Sequence, residues 1–105
     1  SGNSFVHETE SQVILNGSYN INFTMDLVLK DTGLFDELAK KLNAPLEISP
    51  KIVEIFKDGQ KKYGSRAWSS MIVKRMEDIN KIDFRAEGFP EELTDNEPEE
   101  KGYEI

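Results

Sequence analysis

The stretch from Phe23 to Asn43, FTMDLVLKDTGLFDELAKKLN, constrains the fold more than any other. It is the longest helical pattern in the chain. Leu27, Val28, Leu34, Phe35, Leu38 and Leu42 recur at intervals of three, four and seven, the spacing that gathers side chains onto one face of an α-helix. The two helical patterns that follow are its expected packing partners. Lys30 and Asp31 interrupt the apolar run, and Phe23 stands eight residues ahead of Asp31. Asn20 or Asn22 is the expected N-cap. Asn43-Ala44-Pro45 ends the helix, because a proline biases its predecessor away from the helical region. Gly33 costs roughly 1 kcal/mol relative to alanine inside a helix, which predicts a kink or a closely approaching neighbour.

Around this element the chain divides simply. Ser1 to Ser4 is turn-like, and Asn3 or Ser4 suits the start of a short helix from Phe5 to Leu15. Asn16-Gly17-Ser18 signals a turn. Ser49-Pro50 starts the next helix, a cap residue followed by proline at the first helical position, with Ile52, Ile55, Phe56 and Tyr63 on one side and Gly64 closing it. A further helix capped by Ser65 would bury Ala67, Trp68, Met71, Ile72, Met76, Ile79 and Ile82. It would turn Lys74, Arg75, Glu77, Asp78 and Lys81 mainly outward. The fold class is therefore all-α, a small bundle of three to four antiparallel helices over residues 1–82. An irregular acidic tail, 83–105, follows, disordered or lying as an extended strap on a neighbour.

Composition narrows the function classes. With 105 residues one core is expected, with no room for a cofactor-binding domain as well. There is no cysteine and a single histidine, His7, so disulfides and cysteine or histidine metal clusters are excluded. No apolar run suits a membrane span, and the N-terminus lacks the pattern of a signal peptide; a soluble, cytoplasmic chain is expected. The formal charge of -7 resides wholly in residues 83–105, with 9 acidic and 2 basic side chains, while residues 1–82 balance 11 against 11. Such a tail argues against non-specific DNA binding.

The segment GSYNINFTMDLVLKDTGL resembles the start of the last large helix in the β-hydroxyacid dehydrogenases, the family of 3-hydroxyisobutyrate dehydrogenase and tartronate semialdehyde reductase. Members read there as a glycine-containing turn, a phenylalanine, an apolar helical turn and a Lys-Asp pair. Asn43-Ala44-Pro45-Leu46 is similar to the family's next loop, and Gly64 to the glycine ending the following helix. Ala67-Trp68-Ser69-Ser70 is similar to its closing motif, although Ala67 replaces the usual acidic residue. The resemblance covers residues 1 to about 82.

The resemblance implies the 6-phosphogluconate-dehydrogenase-like helical C-terminal domain of an enzyme whose N-terminal Rossmann domain binds NAD or NADP. The family's catalytic lysine lies on an interdomain helix. Neither that helix nor the glycine-rich fingerprint is present here, so the chain alone is expected neither to turn over substrate nor to bind the cofactor tightly. By the same resemblance Phe23 lines the substrate pocket near the nicotinamide. Lys30 contacts the cofactor region, and Asp31 positions the catalytic groups. The implied partners are the chain's own Rossmann domain, a short β-hydroxyacid and a second copy in a homodimer.

Two other classes stay open on the residues alone. One is a self-association module, because the missing interdomain helix would leave apolar surface exposed. The other is a phosphate- or nucleic-acid-binding domain using Lys57, Lys61, Lys62, Arg66, Lys74 and Arg75. Against the latter, Glu54, Asp58, Glu77 and Asp78 are interleaved with those cations.

Overall fold

The structure, a computed structural model, describes residues 2–104. Among them the chain forms four α-helices, α1 (Phe5–Asn16), α2 (Met25–Lys41), α3 (Ser49–Tyr63) and α4 (Lys74–Asn80), with a 3-10 turn at Ser69–Val73 leading into α4. The fold is an all-α small bundle.

α1 begins as its sequence suggests: the Ser4 hydroxyl accepts the His7 N–H. It ends at Gly17, whose φ of 94° gives the left-handed C-cap that glycine adopts most readily. The α2 cap is different. Thr24 takes the N-cap position in extended conformation, but its hydroxyl bonds the Asp26 carboxylate rather than a backbone N–H. The free N–H groups at this helix start are met from outside. Met25 N–H donates to the Ala67 carbonyl at 2.9 Å and Asp26 N–H to that of Ser65 at 3.0 Å. Ser69 N–H returns a bond to the Phe23 carbonyl at 2.7 Å, beside a bridge between Thr24 and Trp68. Asn20 and Asn22 therefore do not cap α2. Asn22 is a left-handed turn residue with φ 59°.

α2 and α3 run antiparallel. Met25 at the start of α2 lies by Gly59 near the end of α3, and the Ser49 hydroxyl at the start of α3 donates to Asp36 Oδ1 at 2.9 Å. A β-carbon on Gly59 would stand 2.7 Å from Ile72 Cδ1 and 3.0 Å from Met25 Sδ, so the bare backbone lets α3 close on both. Gly64, at φ 101°, ends α3 in a conformation nearly restricted to glycine and swings Ser65–Ser69 back across the start of α2.

The core is small: Val13, Tyr19, Met25 and Ala39 are its buried hydrophobic residues. The apolar stripe of α2 is not part of it. Leu34, Phe35, Leu38 and Leu42 are between 52% and 68% exposed. The less exposed side of α2 instead includes Met25, Val28, Leu29, Thr32, Asp36 and Ala39. The periodicity thus locates a true face but not its destination, because period alone does not say which neighbour covers it. Two other expectations are corrected in the same way. No helix begins at Ser65, since that segment is spent on the α2 N-terminus. Met76 and Ile79 of α4, and Ile82 just beyond it, are exposed, whereas Glu77 is 1% exposed.

No neighbour approaches Gly33, and α2 runs through it without interruption. Gly33→Ala should therefore raise stability in urea by roughly 0.5–1 kcal/mol, through helix propensity alone. Met25→Ala, which empties a fully buried site, should lower it by about 2–5 kcal/mol.

Candidate functional site

Met25 and Val28 turn inward at the start of α2, but Leu27, Leu34, Phe35, Leu38 and Leu42 stay exposed. Leu27, Asp31, Leu34 and Leu38 follow one another at intervals of four, three and four, so Asp31 takes an apolar position in the stripe. Lys30 Nζ lies 2.8 Å from Asp31 Oδ1, with the two side chains 59% and 57% exposed. Phe23 sits just before α2, about one-third exposed, its carbonyl held by Ser69 N–H. The fold places Phe23 just ahead of α2 and Lys30 and Asp31 in its N-terminal half, and encloses none of them.

The surroundings of this helix start are electrostatically set. Asp26 accepts the Thr24 hydroxyl and the Arg66 guanidinium at 3.3 Å. The hydrogen bond from Thr24, with the charge of Arg66, keeps its carboxyl below the usual carboxylate range. Lys30 also lines an open groove of about 560 Å³ with Asp26, Gly33, Lys57 and Gln60. A more apolar groove of about 630 Å³, lined by Phe35, Leu46, Ile48 and Ile52, continues the stripe at the other end of α2.

The basic concentration noted in the sequence is largely paired. Asp58 receives Arg75 at 2.6 Å and Lys62 at 3.2 Å, Asp78 receives Lys74 at 3.2 Å, and Asp26 receives Arg66. Tyr63 donates to Asp78 Oδ2 at 2.7 Å. Tyr63 through Asp78 and Asp58 through Arg75 thus brace α3 against α4, while Lys62 pairs within α3. Among the described residues no group of three histidines or acids is placed to hold a metal, and no helix is long and apolar enough to cross a membrane.

Residues 1–76 match the family model described as the NAD-binding domain of NADP-dependent 3-hydroxyisobutyrate dehydrogenase. The chain belongs to the β-hydroxyacid dehydrogenase family. Over 83 residues it is 31% identical to 2-(hydroxymethyl)glutarate dehydrogenase of Eubacterium barkeri, an alignment covering 78% of this chain and 28% of that protein. The chain thus spans little more than a quarter of the curated relative it matches. No solved structure matches. Family membership brings NAD(P) into consideration as the cofactor of the full-length dehydrogenase. Lys30, paired with Asp31 at the edge of an open groove, offers one cationic contact towards such a group.

One group was not singled out as a site by its sequence. Glu77 accepts the hydroxyl of Tyr19 and, at 3.2 Å, Arg85 Nη1. Its signal was weak. Arg85 is one of two cations in the acidic tail, and Glu77 is in helical phase with the buried Ser70.

The Tyr63 hydroxyl is pushed up to about 12 by burial, reinforced by its hydrogen bond to Asp78 and that residue's charge. Its folded-state value lies above its unfolded one, so the bond contributes fully below about pH 10 and is lost as pH rises towards 12. Urea midpoints measured from pH 8 upward should show the native chain losing its advantage over Tyr63→Phe across that alkaline window.

Proposed function

We propose that this chain is the helical substrate-cleft domain of an NAD(P)-dependent oxidoreductase acting on a short β-hydroxyacid. It is inactive without a Rossmann domain and a catalytic lysine supplied by the rest of the enzyme. The observation that carries the proposal is Asp31, a carboxylate at the centre of an otherwise apolar, outward-facing stripe on α2. A stripe of this kind is built to be covered: each large residue taken out of water stabilises the contact by roughly 1.5–3 kcal/mol. Covering it also strips water from Asp31, which then requires a cationic partner.

Lys30 is one such partner, already at 2.8 Å. The catalytic lysine of the covering segment is the other, and Asp31 would hold it towards the forming hydroxyl. Lys30, freed or shared, meets a carboxylate or phosphate of substrate or cofactor. Phe23 supplies an apolar wall at the same end of α2. The covering segment is the interdomain helix, with the Rossmann domain beyond it. A second copy in a homodimer would use the continuation of the stripe at Leu38, Leu42 and the Phe35–Ile52 groove.

Kinetics in the full-length dehydrogenase test the assignment. Asp31→Asn and Lys30→Ala should each lower kcat/KM by about 10- to 100-fold, the effect of losing one charge-assisted hydrogen bond. In the isolated domain the same changes should alter stability by less than about 1 kcal/mol, because the pair is solvent-exposed there. Unchanged kinetics would return both residues to the class of solvated surface charges.

A further inference from the structure

The family match ends at residue 76, yet Phe84, Arg85, Ala86, Phe89, Glu91 and Glu92 are each bonded to the domain. Ala86 N–H donates to the Leu15 carbonyl at 3.1 Å. The Asn16 amide donates to the Phe89 carbonyl at 3.0 Å, the Ser18 hydroxyl donates to the Glu91 carbonyl, and Asn20 bridges Glu92 in parallel. Alternate polar residues of the Asn16–Asn20 turn thus receive successive parts of the tail.

The tail is pinned more deeply at Arg85. Its guanidinium donates to Glu77 Oε2 at 3.2 Å, the Tyr19 hydroxyl at 2.8 Å, and the carbonyls of Ile14 and Phe84, with its charge 5.2 Å from the centre of the Tyr19 ring. A β-carbon on Gly17 would collide with Arg85 Nε, so the turn needs glycine both for its φ of 94° and for the guanidinium lying over it. Tyr19 is held in left-handed conformation, φ 55°, which a non-glycine residue keeps only when its surroundings fix it. Glu77 supplies that fixation. Burial alone would raise its carboxyl, but the Tyr19 hydroxyl, the Arg85 charge and the Phe84 N–H outweigh burial and keep it below its ordinary value.

We propose that residues 84–93 are a C-terminal latch in which Arg85 and Glu77 act as positioning residues, fixing the Ser18–Phe23 turn and with it Phe23 and Trp68 at the start of α2. The latch also completes a polar cavity of about 290 Å³ between Asn20, Asn22, Trp68 and Glu92. What Phe23 does rests on the function proposed above; the latch itself does not.

Trp68 is the sole tryptophan, so its emission reports the latch directly. Amide exchange at Ile21 and Ser69, whose N–H groups bond the Tyr19 and Phe23 carbonyls, reports the turn. In the 105-residue chain, Asn16→Ala removes a tail contact without stranding a charge or touching the bond from Asn20 N–H to the Ser18 hydroxyl inside the turn. This change should speed exchange at both sites by about threefold or more, shift Trp68 emission to the red, and leave the amides of α3 unaccelerated. Arg85→Ala should do the same, and Arg85→Lys should recover part of the protection. Equal acceleration in α3, no change at Ile21 and Ser69, or identical behaviour of the Lys and Ala variants would overturn the latch. Kinetics that fail in the full-length dehydrogenase while exchange behaves as stated would overturn only the role of Phe23.

Discussion

The N-terminus of α2 depends on bonds from a distant part of the chain. Met25 and Asp26 would leave two N–H groups unmet at the edge of the core if Ala67 and Ser65 did not supply carbonyls, and Ser69 closes the arrangement on Phe23. That exchange fixes several things at once. It orients α2 against α3, seats Met25 against Gly59, and sets the direction in which Phe23, Lys30 and Asp31 face. It also uses the Ser65–Ser69 segment, so the chain cannot start a helix there and instead turns through Ser69–Val73 into α4.

A domain with so few buried hydrophobic residues relies on polar interior contacts for definition. Ser70, fully buried, donates to Glu10 Oε2 at 2.7 Å and ties the 3-10 turn to α1. Glu77 ties α4 to Tyr19 and Arg85. Among the described residues every buried side-chain nitrogen and oxygen has a hydrogen-bond partner, which such a network requires if it is to stabilise one arrangement rather than weaken it.

How much of this could be read from the sequence depends on the range of the interactions. The Ser4 and Gly64 boundaries were legible because they rest on local backbone chemistry, whereas Ser49 does not cap α3: Ile48 holds that position and the Ser49 hydroxyl goes to Asp36. The family was legible in the order of Phe23, the Lys30-Asp31 pair, Asn43-Ala44-Pro45 and Trp68. The α2 cap was not, because it comes from residues forty positions away. The orientation of α4 was missed because Met76, Ile79 and Ile82 advertise an apolar face, whereas Glu77 is buried only by virtue of Tyr19 and Arg85. Of the stripe on α2, Val28 turns inward while Leu34, Phe35, Leu38 and Leu42 are exposed rather than packed on the later helices. A hydrophobic period says that a face needs cover and not whether the cover belongs to the same domain.

That distinction is the centre of the functional account, and the absence of native cysteine makes it accessible to thiol labelling. Leu38→Cys, a site 54% exposed, should react rapidly in the isolated domain. In the full-length dehydrogenase, with labelling followed at that residue by mass spectrometry, the rate should fall by about tenfold or more as the stripe is covered. Equal rates in the two proteins would mean that the α2 face stays in water in the assembled enzyme, and the assignment of Asp31 and Lys30 to an active-site cleft would fall with it.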